Sequence, residues 1–172
     1  MEENPDVGQI MPKVLFLDGK IQPLAKLLAT PMDLICRILL PEWMIKQRNN
    51  KYELLHSGYD KIMNAPCLSG CFMFFRVSTL KEVGLFDERF FMYGEDFDLT
   101  RRIHRHYKTL FFPMVNVYHK FSRGSYHSLR LFMVHMASMV KYFNKWGWIY
   151  DAERRKFNRQ ILKDIKMANQ QD

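Results

Sequence analysis

Five carboxylates crowd into FDERFFMYGEDFDLTRRIHRHY, residues 86–107, among aromatic rings and a single glycine. Asp87 and Glu88 come first, followed by Phe90, Phe91, Met92, Tyr93 and Gly94, then Glu95, Asp96 and Asp98 ahead of a basic segment that reads as a helix. A carboxylate pair delivered to a cleft rim directly after a glycine turn suits proton abstraction, which needs a base within hydrogen-bond reach of the hydroxyl it serves. Acids in a first helical turn also satisfy free backbone NH groups and complement the helix dipole, so simple capping by Asp96 or Asp98 is the competing account.

The stretch FFMYGEDFDL resembles the acceptor-side motif of inverting family 2 glycosyltransferases with the GT-A fold, in particular their bacterial rhamnosyltransferase-like members. Upstream, SGCFMFFR followed by STLKEVGLFDERF is similar to that family's strand, short helix and GxFDE turn. Downstream, FFPMVNVYHKFSRGS is similar to its strand ending in a histidine before a Ser/Gly-rich loop. The resemblance runs from Val7 to Trp146.

That resemblance implies an α/β fold, a mixed sheet with flanking helices forming the C-terminal half of a GT-A domain, with further helices at the carboxyl end. It makes Asp96 the general base, Glu95 its support, and Gly70 and Tyr93 part of the acceptor site. Arg123, Gly124 and Ser125 fall on the donor-side loop, and His119 matches a histidine that in some relatives helps bind the divalent metal, Mg or Mn, on the nucleotide diphosphate. The implied partners are a nucleotide-sugar donor and a glycan or lipid-pyrophosphate-linked acceptor in cell-surface polysaccharide synthesis. The expected location is cytoplasmic, with peripheral contact at the inner face of the membrane.

The elements that must position these residues begin with a strand at 7–16 and an Asp18-Gly19 hairpin turn. Residues 23–45 read as two short helices divided at Thr30-Pro31, with an apolar face for packing or for the bilayer surface, and 46–64 as a polar connection. CFMFFR reads as a buried strand at the sheet's centre, with Gly70 before it either allowing close approach to a ligand or marking a bulge. A short helix capped by Ser78 or Thr79 follows and ends at Gly84. After the acidic stretch, Leu99 and Ile103 mark a buried helical face, and Arg101, Arg102 and Arg105 a solvated one.

Residues 109–119 form the next strand, where Pro113 points to an edge or a bulge and His119 is either a satisfied histidine or a metal ligand. Residues 122–128 are a small-residue loop suited to phosphate. A helical face from Leu129 through Met139 to Phe143 fits a core, an interface or a headgroup layer. The last helix carries only the stripe Phe157, Ile161, Ile165. Residues 1–126 are thus expected to be the acceptor-side part of the catalytic domain, and 127–172 a basic, aromatic helical region.

The chain departs from the family in having no D-x-D ahead of Glu95 and no Gly-rich nucleotide loop. The expectation is that a donor-binding half of about one hundred residues, a domain-sized piece, belongs upstream of Met1. No signal peptide opens the chain, and the apolar segment 24–44 is broken by Lys26, Pro31, Asp33 and Arg37, which argues against a membrane span. Cys36, Cys67 and Cys71 have neither disulfide-framework nor zinc spacing.

Net charge is +8, and residues 120–172 hold eleven Lys/Arg against four Asp/Glu, so nearly all the excess is C-terminal. Such a segment suits phosphate-bearing partners. It also permits a rival reading as a non-catalytic basic adaptor for nucleic acid or anionic membrane, told apart by salt-sensitive binding.

Overall fold

The structure, a computed structural model, describes residues 1–120 and 128–170, the side chains of Arg37, Ile38 and Glu42 excepted. The long strand β1 (Val7–Leu15) leads through a turn at Gly19 and a single bridge from Leu15 to Ile21 into β2 (Ala25–Lys26). Helices α1 (Pro31–Leu39) and α2 (Glu42–Tyr52), the short strands β3 (Met63–Asn64), β4 (Cys67–Leu68) and β5 (Phe74–Phe75), and helix α3 (Val77–Val83) follow. The chain closes with α4 (Glu95–His104), β6 (Lys108–Tyr118), α5 (Leu129–Trp146) and α6 (Ala152–Ala168).

The expected mixed sheet with flanking helices is present, in the order β3-β6-β1-β5, with β2 and β4 paired beside it. Its spine is the parallel pair β1 and β6, and β3 and β5 join antiparallel at the two edges. Pro113 lies in a bulge: Pro12 pairs with Phe112, but Lys13 pairs with Asn116, so three residues of β6 loop out. A proline, which has no NH to donate, is tolerated inside a sheet at such a place.

Several local expectations give way. Thr30-Pro31 does not divide two helices. It separates β2 from α1, with Thr30 and Asp33 forming a reciprocal capping box. Residues 46–64 are not a polar connection throughout, since α2 runs on to Tyr52 and β3 takes Met63–Asn64. That helix is polar nearly all round and, among its described side chains, buries only Ile45, so it offers no apolar stripe to read. CFMFFR yields only β5, at the sheet's edge, with Phe74 half exposed at 54%. Helix α3 starts after Arg76 with no side-chain cap, so the caps expected of Ser78 or Thr79 are not made, although Gly84 does end it.

One apolar cluster joins Met11, Val14 and Phe111 of the central strands to Leu68 and to Ile161 and Ile165 of α6. The final helix therefore packs its sparse stripe into the same core as the sheet. A second cluster gathers Phe90, Met139, Tyr142 and Phe143, with Phe97 and Trp146 against it. The buried side of α5 is set by Ser138, Met139, Tyr142 and Phe143, while Leu129, Met133 and Val140 of the expected apolar face point outward.

Candidate active site

The acids of the stretch divide into two jobs. Helix α4 begins at Gly94, whose φ of 90° lies in the left-handed region, and no side chain caps it. A Cβ there would meet Met139 Cε at 3.1 Å, so a glycine suits both the turn and the close packing of α5. Tyr93 also has a positive φ, 67°, and its ring lies against His135 at 4.9 Å between centroids. Two successive residues in left-handed conformation aim Glu95 and Asp96 out of the turn, and for the non-glycine Tyr93 that conformation stores strain.

Asp96 is half-buried. One of its oxygens accepts from the Phe97 amide at 2.9 Å, satisfying a free first-turn NH, and the other leaves the helix to accept from the Gly70 amide at 2.7 Å. Gly70 follows β4 and is itself exposed. Burial first, and the neighbouring Glu95 charge second, push the Asp96 carboxyl up to about 6, although the two amide bonds pull the other way. The adjacent Cys67 and Cys71 thiols are pushed up by burial and feel the Asp96 charge as well. Glu95 keeps one oxygen, Oε2, buried without a hydrogen-bond partner among the described residues.

Asp98 is fully buried and serves the fold. It accepts from Trp146 Nε1 at 2.8 Å and from Arg102 Nε at 2.9 Å, and lies 2.6 Å from Lys145 Nζ. Lys145 also reaches Asp87 at 2.7 Å, so the first and last acids of the stretch are clamped to α5 by one ammonium group. Arg89 and Lys145 hold the Asp87 carboxyl well below the usual carboxylate range, against a smaller opposing effect of burial. Capping therefore accounts for neither Asp96 nor Asp98 in full.

Arg101 corrects the expectation of a solvated arginine face. It is 1% exposed, its guanidinium donating to both oxygens of Asp151 at 2.7 and 2.8 Å and to Glu153 at 2.8 Å, and it stacks on Trp146 at 4.1 Å. Its partners lie about fifty positions away on the following elements, so nothing in local spacing signals them. Arg102 donates to the carbonyls of Val83, Gly84 and Leu85 besides Asp98. These bonds fix α4, and with it the orientation of Asp96.

His119 sits at the end of β6. Its amide donates to Leu15, its carbonyl accepts from Gln22 Nε2 at 2.6 Å, and its Nδ1 lies 3.1 Å from Gln22 Oε1. Arg123, Gly124 and Ser125 lie outside the described residues. Among the described residues no three His, Cys, Asp or Glu side chains converge as a metal site requires.

The family model for glycosyl transferase family group 2 matches residues 36–169, taking in the acidic stretch, β4, β6 and both C-terminal helices. The chain belongs to that family. Searches of curated proteins and of solved structures returned no significant match. This family 2 transferase domain implies a nucleotide-sugar donor and an acceptor, and the mixed sheet with its flanking helices fits part of a GT-A domain.

Proposed function

We propose that this domain forms the acceptor side of an inverting glycosyl transfer in which Asp96 is the general base. The observation that carries the reading is the Asp96 carboxyl, held by the Gly70 amide at the head of α4 and raised to about 6. Such a group is mostly ionised at neutral pH yet retains more affinity for a proton than an ordinary carboxylate.

In the step, the acceptor hydroxyl gives its proton to Asp96 while its oxygen forms a bond to the anomeric carbon. The bond from that carbon to the nucleotide diphosphate breaks on the opposite face, and the diphosphate leaves with the electron pair. Glu95 supports the base through its neighbouring negative charge, which raises the proton affinity of Asp96. Gly70 and Tyr93 flank the acceptor position.

Arg123, Gly124 and Ser125 belong to the donor-side loop in this reading, and His119 would help hold a divalent metal together with ligands from a nucleotide-binding half. The metal would neutralise the leaving diphosphate. The donor sugar is of the rhamnose type, the acceptor is a glycan or lipid-pyrophosphate-linked sugar in polysaccharide synthesis, and the domain works at the cytoplasmic face of a membrane.

The test is Asp96→Asn in a protein that also carries the donor-binding half, assayed with nucleotide-activated rhamnose and a glycan acceptor. Transfer should fall by about 10²–10⁴-fold, the usual contribution of a general base, with the circular dichroism spectrum unchanged. Near-normal turnover would end the assignment.

A further inference from the structure

A groove of about 740 Å³ opens between α1, α2, the segment 148–149 and α6, and it contains none of Glu95, Asp96 or Gly70. Its floor is apolar, formed by Leu27, Leu28 and Leu162, and its rim carries Met32, Ile35 and Ile149 in exposed positions. Ile149 is 86% exposed and the adjoining Tyr150 is 78% exposed. Large apolar and aromatic side chains gathered at a rim need a cover other than water.

Charge selects the cover. The lining holds five cations, Arg48, Lys51, Arg154, Arg155 and Arg159, against one acid, Asp33, which Arg48 already pairs at 2.7 Å. Arg154 is buried on Asp151 and backbone carbonyls. Lys51, Arg155 and Arg159 are exposed and make no ion pair among the described residues. Lys156 and Lys163 extend the basic ridge along α6 from the same edge. No described helix is long and apolar enough to cross a membrane.

We infer that this groove and its aromatic edge dock on the anionic headgroup layer of a bilayer, with Ile149 and Tyr150 entering the interface and Lys51, Arg155 and Arg159 meeting lipid phosphates. Apolar and aromatic side chains beside an unneutralised basic face suit that layer. The inference rests on the membrane contact in the reading above but not on Asp96. It places that contact at the opening between α1 and α6 rather than on the Met and Phe face of α5, where Met139 and Phe143 are core.

Cosedimentation of the full chain with vesicles tests it without any turnover. Binding is expected to vesicles of phosphatidylcholine with phosphatidylglycerol, to be at least tenfold weaker to phosphatidylcholine alone, and to weaken as salt rises. Lys51→Glu with Arg159→Glu should weaken binding tenfold or more, as should Ile149→Asp, whereas Met133→Glu on the exposed side of α5 should leave it unchanged. Wild-type tryptophan emission should shift to shorter wavelength on binding, which tests the site even if a variant folds poorly. Equal binding by the groove variants together with loss in Met133→Glu would place the contact on α5 and overturn the groove while keeping the membrane reading. Absence of binding would overturn both, and self-association abolished by Ile149→Asp would assign the groove to a second copy of the chain.

Discussion

The Gly70 amide donates to Asp96 Oδ2 at 2.7 Å, joining the turn after β4 to the first turn of α4 across twenty-six positions of sequence. A Cβ on residue 70 would lie 3.2 Å from the Asp96 Cβ and 3.3 Å from Oδ2, tighter than ordinary packing, so the carboxylate is placed by an approach that a side chain would crowd.

Gly70→Ala should therefore disturb geometry more than stability. The φ of Gly70 is not among the positive ones, so alanine is allowed by the backbone, and the carboxyl group must yield instead. We expect transfer to drop by about tenfold or more, since small misplacements of a catalytic group are costly, while the urea midpoint changes little. A variant with normal transfer would show that the contact does not set the base's position.

Asp98→Ala should show the opposite pattern to Asp96→Asn. Asp98 is the buried acceptor for Trp146, Arg102 and Lys145, and its removal leaves charge on α4 and α5 uncompensated. Urea unfolding should report a loss of about 3–5 kcal/mol, the range for breaking one side of a buried pair. A loss below about 1 kcal/mol would class the pair with weak surface bridges instead.

How much of this was readable beforehand differs by residue. The acids at a helix start, the strand 7–16 and the helix stop at Gly84 follow local rules, and the structure keeps them. Which acid is structural was not legible, because Asp96 and Asp98 have the same type and nearly the same position. Only Trp146 and Lys145, some fifty positions on, turn Asp98 inward. The Arg101 site was hidden for the same reason. Helix α2 was missed because its stability comes from elsewhere than an apolar stripe, and β5 was misplaced because a run of aromatics reads alike at the centre and the edge of a sheet.

Arg101 and Asp151 should make the fold sensitive to acid. Burial pushes the Asp151 carboxyl up, but the Arg101 guanidinium together with the amide and charge of Arg154 more than offsets it, leaving the group below its ordinary value. A depressed carboxyl contributes stability that is complete above the unfolded-state value of about 3.9 and lost as pH falls through the folded one. Urea midpoints measured from pH 7 to pH 3 should fall at the acid end in the wild type. The double change Arg101→Met with Asp151→Asn should flatten that fall and cost less at pH 7 than Arg101→Met alone, which strands a buried carboxylate. An acid limb of the same depth in the double variant would assign the sensitivity to other groups.

The pH dependence of kcat/KM for sugar transfer, in a protein that also carries the donor-binding half, tests the role of Asp96 most directly. The account predicts a rate that rises with pH through a limb near 6, the value to which burial and Glu95 raise the Asp96 carboxyl. Glu95→Gln should move that limb to lower pH by removing a neighbouring negative charge, and the residual transfer of Asp96→Asn should lack it. A limb at the same pH in both variants would contradict the account and place the base on another group.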